Sequence, residues 1–68
     1  MMDGWMGWVG KKVFVRLRSH QGRERIYSGV IKGIDETSKP LIFIHLLDKF
    51  GAKIILLHSE IVEIKEEY

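Results

Sequence analysis

Residues 26–35 read IYSGVIKGID, a β-branched and apolar run that is interrupted by Gly29 and Gly33. β-branched residues favour strands, and a glycine inside a strand marks a bend, a bulge or the close approach of another backbone. Two glycines spaced four residues apart therefore predict one long strand that curls strongly enough to serve both halves of a small barrel. A chain built around such a strand is expected to be all-β.

Four more segments have strand character. The segment before the central run alternates, with Val13, Val15 and Leu17 on one face, which is typical of a half-buried strand. Gly22 and Gly51 lie in polar stretches and supply residues that adopt positive φ in turns. We expect a small five-stranded SH3-like antiparallel barrel, a single domain over residues 1–68 with strands at 11–18, 26–35, 41–48, 52–58 and 61–65.

The N-terminal segment DGWMGWV allows one or two helical turns. Asp3 could cap such a turn, and Trp5, Trp8 and Val9 share one face at a spacing of three and four. Two glycines in the segment oppose a helix. We expect the tryptophans to cover the open end of the barrel rather than to bind a ligand.

Two apolar runs, LIFIHLL and KIILL, are nearly continuous where a half-buried strand would alternate. Continuous runs indicate burial on both faces. A chain of 68 residues cannot cover both faces of both strands, so the runs predict a neighbouring subunit that also pairs with the exposed strand edges.

The composition excludes several alternatives. The chain has no cysteine, so it has neither a disulfide nor a thiolate metal site. Its three histidines lack the spacing of a zinc site, and we expect no metal. A small domain without disulfides or a bound metal ion is usually stabilised by contacts with partners, which again favours self-association.

No apolar run reaches the roughly 18 residues of a membrane span, and the N-terminus lacks the basic and apolar regions of a signal peptide. We therefore expect a cytoplasmic protein that does not contact membranes. The absence of asparagine and the 29% of charged residues lean toward a thermophilic source.

Charge is distributed unevenly along the chain. Residues 1–34 carry seven Lys/Arg and two Asp/Glu, a net +5, whereas residues 35–68 carry four and seven, a net −3. The basic part centres on RLRSHQGRER. Such a cluster is either an electrostatic footprint for phosphates or a solvated loop that keeps the protein soluble, and both interpretations stay open on charge alone.

Two stretches resemble the motifs of the Sm/LSm family, the ring-forming RNA-binding barrels that include bacterial Hfq. VGKKVFVRLRSHQGRERIYSGVIKGIDE resembles the first motif, and IILLHSEIVEI is similar to the second. The resemblance covers residues 9–65 and implies a ring in which the fourth strand of one subunit pairs with the fifth of the next. The interface residues that it implies are Ile54, Ile55, Leu56, Leu57, Ile61, Val62 and Ile64.

The chain departs from the family where RNA is read. The family has a stacking residue and an asparagine after the motif aspartate, where this chain has Thr37 and Lys39. The corner of the second motif is Arg-Gly in Sm proteins and Lys-His in Hfq, and here it is Leu57-His58. Thr37 cannot stack on a base as an aromatic ring does. His58 either contacts RNA or only completes a turn.

The leading hypothesis is an Sm-like RNA-associated ring that binds single-stranded RNA with weak or altered base preference. Summed phosphate contacts from several subunits would supply the affinity. The alternatives are an Sm-like protein-interaction oligomer without RNA binding and a small SH3-like barrel bound to duplex DNA. The candidate RNA-binding residues are Thr37, Lys39, His58, Arg16, Arg18, Arg23 and Arg25.

Nothing in the sequence predicts an enzyme, a cofactor or a small-molecule substrate. Asp35 and Glu36 are adjacent in a turn-like segment, and His58 and Ser59 are sequence neighbours without the geometry of a triad. We expect His45 to be structural or interfacial and His20 to be exposed.

Overall fold

The computed structural model describes residues 7–67. Within them the chain is all-β, as predicted, and forms one antiparallel sheet. A single 3₁₀ turn, η1 (His58–Glu60), joins the last two strands. The strands are β1 (Lys12–Arg18), β2 (Glu24–Ser38), β3 (Leu41–Leu47), β4 (Lys53–Leu57) and β5 (Ile61–Glu66).

The strand order is β4-β3-β2-β1-β5. β4 and β5 therefore lie at the two edges, and within residues 7–67 each pairs with a neighbour on one side only. A barrel requires its two edge strands to hydrogen-bond to each other. The sheet is not closed in this way. The prediction of five antiparallel strands is therefore confirmed, whereas a closed barrel is not observed.

The central strand β2 has 15 residues and is longer than predicted at both ends. At its start Glu24 pairs with Arg18, and at its end Ser38 pairs with Leu41. The polar residues after Asp35 were expected to form a turn, but they continue the strand. The register of β2 against β3 shifts twice, between Ile31/Gly33 and between Asp35/Ser38, and such irregularities bend a strand.

The two glycines of β2 have different roles. Gly29 is buried against the end of β3, where an added Cβ would clash with the carbonyl oxygen of Leu47 and lie 3.0 Å from the Cα of Asp48. Gly33 lies at the register shift, and a Cβ there would meet nothing within 4 Å. Gly29 therefore permits a close backbone approach, whereas Gly33 marks the bulge.

This difference gives a prediction about stability. Gly29→Ala should destabilise the protein by about 1–3 kcal/mol, the usual cost of overpacking, because the obstacle is backbone that cannot rotate away. Gly33→Ala is the matched control and should stay within about 0.5 kcal/mol of the wild type. Urea unfolding midpoints compare the two variants, and equal midpoints would contradict the close approach at Gly29.

The core lies on the inner face of the curled sheet. The alternation predicted for β1 is confirmed, since Val13 and Val15 are fully buried and Leu17 is 8% exposed. Half-buried side chains from β5 and from the turn at residues 7–10, including Trp8, pack against this cluster. The predicted Asp3 cap and the Trp5 cover lie outside the described residues. The other buried core residues are Ile31, Ile42, Ile44, Leu46 and Leu56.

The outer face of β3 and β4 is not covered by this chain. Ile55 is 61% exposed and Leu41 is 47% exposed, while Phe43 and Leu47 are half-buried. One face of each apolar run is thus buried in the core, and the other face stays partly open in the single subunit.

Candidate functional site

The turn between β2 and β3 lies at the same end of the sheet as η1. Asp35 of β2 pairs with Phe43 of β3, which in turn pairs with Leu57 of β4. Thr37 follows this row on β2, and His58 follows it after β4. The register therefore places two of the predicted RNA-binding residues at one end of the sheet.

Asp35 organises the start of that turn. Its Oδ1 accepts a hydrogen bond from the Thr37 hydroxyl at 2.6 Å and another from the Thr37 backbone N–H at 2.9 Å. Both bonds stabilise the ionised carboxylate, chiefly the bond from the hydroxyl, and they lower the pKa of Asp35 with a smaller contribution from His45. The Thr37 hydroxyl is thereby already engaged within the chain.

The lowered pKa has a testable consequence. Thr37→Val removes the strongest hydrogen bond to Asp35 and should raise the pKa of that carboxyl toward its ordinary value. A depressed folded-state pKa stabilises the protein above the unfolded pKa, and this stabilisation is lost as the pH falls through the folded-state pKa. The variant should therefore lose less stability in acid than the wild type does. NMR titration of the Asp35 carboxyl measures the shift, Thr37→Ser is the control, and an unchanged pKa in Thr37→Val would contradict the assignment.

The corner between β4 and β5 is built by backbone. Leu57 precedes η1 in an extended conformation with φ −87° and ψ 123°, and the N–H of Ile61 donates to the carbonyl oxygen of His58. His58 is half-buried as the first residue of this turn. The corner expected at Leu57-His58 is present as this turn, while a contact of His58 with RNA stays a prediction.

The predicted cations differ in how far they are neutralised within the chain. Arg18 donates to a carboxylate oxygen of Glu24 at 2.7 Å, and Arg16 donates to Glu63 at 3.1 Å. The hydrogen bond from Arg18 is the main reason that the pKa of Glu24 is lowered. Lys39 lies 3.0 Å from Glu36. These three cations each have a carboxylate partner, and their charge is less available to a phosphate.

Arg23 and Arg25 lie at the other end of β2, at the tip of the β1–β2 hairpin. Neither has a carboxylate within ion-pair distance among residues 7–67, and Arg25 contacts the Tyr27 hydroxyl at 3.5 Å. Both arginines line a groove of about 260 Å³ whose opposite wall is β4 and Glu60. The structure thus separates the predicted RNA-binding residues into two groups at opposite ends of β2.

The predicted interface residues also divide. Leu56 is 3% exposed, so its side chain belongs to the core of its own chain. Ile54, Ile61 and Ile64 are half-buried and pack against that core, and Leu57 is half-buried. Ile55 is 61% exposed and Val62 is 46% exposed. Few side chains of β4 and β5 are therefore exposed for contact with a second subunit. The groups available for such a contact are mainly the unpaired backbone N–H and C=O groups along the edges of these two strands.

Sequence reasoning missed two exposed apolar side chains. Phe50 is 83% exposed in the turn between β3 and β4, and Ile26 is 69% exposed on β2. The turn is held by Asp48, whose Oδ1 accepts hydrogen bonds from the N–H groups of Phe50 and Ala52, and the Lys49 ammonium lies 5.3 Å from the centre of the Phe50 ring. The signal in the sequence is the aromatic residue inside DKFG, which a turn does not need.

Comparison with known proteins finds no matching family model, no similar curated protein and no similar solved structure. Across the described residues, no group of three His, Asp or Glu side chains is placed to hold a metal ion. In the same part of the chain, no helix has the length and apolar character needed to cross a membrane. The fold and the two groups of residues above are thus the basis for a functional proposal.

Proposed function

We propose that the chain is an Sm-like subunit that assembles into a homo-oligomeric ring and associates with single-stranded RNA in the cytoplasm. The observation that carries this proposal concerns β4 and β5, the two edge strands of one curled sheet. Each of them has one backbone edge that is not hydrogen-bonded to another strand of the described residues. They are consecutive in the chain and are separated only by η1.

The two edges differ from each other, which determines the kind of assembly. When the β4 edge of one copy meets the β5 edge of the next, the interface is head-to-tail, and head-to-tail interfaces close into rings if the rotation between copies permits it. Pairing the edges continues the sheet between subunits and removes the exposed backbone groups of both strands. It also covers the exposed Ile55 and Val62, which a lone subunit leaves in water.

RNA binding in this ring would be mainly electrostatic. Each copy presents His58 and the ion-paired Lys39 at one end of the sheet. At the hairpin end it presents Arg23, which has no carboxylate partner among the described residues, so a closed ring repeats these side chains around its axis. A strand that touches several subunits gains affinity by avidity although each contact is weak. Thr37 offers no stacking surface for a base, and its hydroxyl is bonded to Asp35, which supports poor base selectivity.

A ring that binds protein rather than RNA is the second candidate. Two observations favour it: Arg16 and Arg18 are held by Glu63 and Glu24, and the corner carries the apolar Leu57 where the family carries a basic residue. Two cations, Arg16 and Lys65, line the outer-face groove beside the exposed Phe14 and Ile26, and Arg16 is ion-paired with Glu63. The duplex-DNA hypothesis therefore has less support.

Native mass spectrometry, without RNA and with a short oligo-U or oligo-A, tests both parts of the proposal. Discrete assemblies of several subunits that retain the oligonucleotide are the expected result. Assemblies that bind neither oligo-U nor oligo-A at low salt would select the protein-interaction ring. A monomer at micromolar concentration would reject the ring itself.

A further inference from the structure

The groove beside β4 has one wall from each half of the curled sheet. Leu17, Arg25 and Tyr27 come from the β1–β2 hairpin, and Ile54, Leu56 and Glu60 come from β4 and η1. The floor is apolar, since Leu17 and Leu56 are buried, and the rim carries arginine side chains. The unpaired backbone edge of β4 runs along this groove. An extended segment that paired with β4 would therefore lie beneath the hairpin arginines.

The proposed ring places strand β5 of a second copy along this groove, and we infer that Arg25 forms an ion pair with Glu66 of that copy. The inference rests on the proposed ring and assigns to Arg25 a role in subunit recognition in place of phosphate binding. Strand addition to an exposed sheet edge takes its affinity from backbone hydrogen bonds and its specificity from side-chain pockets.

Charge complementarity identifies the occupant. The segment from residue 60 to residue 67 carries four glutamates and one lysine, a net −3. The groove carries Arg23 and Arg25 against one carboxylate, Glu60. The basic first half of the chain thus faces the acidic last part of a neighbour, which accounts for the uneven charge distribution along the sequence.

The face of the sheet identifies the glutamate. Ile64 lies opposite Val15 and Glu66 lies opposite Val13, so both are on the inner face. Leu17 and Val13 are both core residues, so Leu17 also lies on the inner face. Arg25 is paired opposite Leu17 and therefore lies on the inner face as well. Glu63 lies opposite Arg16 and is engaged on the outer face at 3.1 Å.

The pair that Glu66 makes within its own chain does not prevent this exchange. Glu66 lies 3.4 Å from the Lys11 ammonium, and exposed Lys–Glu pairs contribute little to stability. An arginine that is partly desolvated in a subunit contact makes a stronger, charge-assisted bond to a carboxylate.

A charge-swap experiment tests the pairing by sedimentation velocity. Arg25→Glu and Glu66→Arg should each raise the midpoint concentration of assembly about tenfold or more, and the double variant should recover most of that loss. The control is Lys49→Glu, which changes the charge equally at an exposed position in the turn between β3 and β4, and it should assemble as the wild type does.

The outcomes separate this inference from the proposed function. Wild-type assembly of Arg25→Glu would overturn the role of Arg25 and leave the ring intact. Two weakened single variants without recovery in the double variant would overturn the pairing with Glu66. A monomeric wild type would overturn the ring and, with it, the inference. Circular dichroism verifies the sheet in every variant, and the exposed position of Arg25 predicts that its variant folds.

Discussion

Ile55→Asp is expected to convert the proposed assembly into a folded monomer. Ile55 lies on the edge strand β4 and is 61% exposed, so in a lone subunit a carboxylate there stays in water and changes stability by only about 0.5 kcal/mol. In the proposed ring the same position is covered by a neighbour. A buried carboxylate without a partner costs several kcal/mol, and about 3 kcal/mol already weakens association more than 100-fold.

Sedimentation velocity across a concentration series measures this change, and circular dichroism verifies the fold. Phe50→Asp is the matched control, because Phe50 is even more exposed at 83% but lies in the β3–β4 turn away from the edge. It should assemble normally. Wild-type assembly of Ile55→Asp would show that β4 does not form the contact. Ile64→Asp is a poorer test, because Ile64 packs against the core and its replacement would also unfold the subunit.

Local patterns in the sequence predicted the strands well. β1 was expected at 11–18 and spans Lys12–Arg18, and β3 was expected at 41–48 and spans Leu41–Leu47. Strict alternation defines β1, and turn residues bound β3. β2 was predicted too short, because Glu24, Arg25 and the residues after Asp35 are polar and resemble a loop. Pairing with Arg18 and Leu17 on one side and with Leu41 on the other overrides that local preference.

The arrangement of the strands was harder to predict than their positions. The glycines of β2 indicate that the strand bends, but the angle of bending decides whether β4 and β5 meet, and that angle depends on the packing of the whole core. The continuous apolar runs predicted cover on two faces of β3 and β4, and in the single subunit one of those faces stays partly open. The runs did not show which side chains the subunit's own core would take, such as Leu56.

The candidate site was predicted only as a set of residue types. The leading hypothesis assigned all four arginines near the hairpin to RNA. The alternation of β1 placed Arg16 and Arg18 on the outer face, but it could not show that Glu63 and Glu24 pair with them there, since Glu63 comes from the distant strand β5. The groove that Arg23 and Arg25 line was missed for the same reason, because the residues of its opposite wall are distant in the sequence.

RNA binding by the ring is expected to depend steeply on salt and to discriminate poorly between uridine and adenine. Thr37 offers no ring for stacking, Leu57 offers no charge, and the contribution of phosphate contacts is independent of base identity. Each phosphate neutralised on a single strand contributes about −0.7 to the slope of log K against log salt. Oligo-U and oligo-A of equal length should therefore give similar affinities and similar slopes in a fluorescence anisotropy series.

Arg23→Gln provides the sharpest test of that mechanism. Arg23 has no carboxylate partner among the described residues, so its loss should flatten the slope by about 0.7 for every subunit that the oligonucleotide contacts. The double variant Arg18→Gln, Glu24→Gln is the control, because it removes an ion pair of 2.7 Å without changing the net charge, and its slope should equal that of the wild type. His58→Ala should have a smaller effect than Arg23→Gln. Tight binding that is selective for uridine and insensitive to salt would contradict the electrostatic mechanism and assign base recognition to the end of the sheet that carries Thr37 and His58.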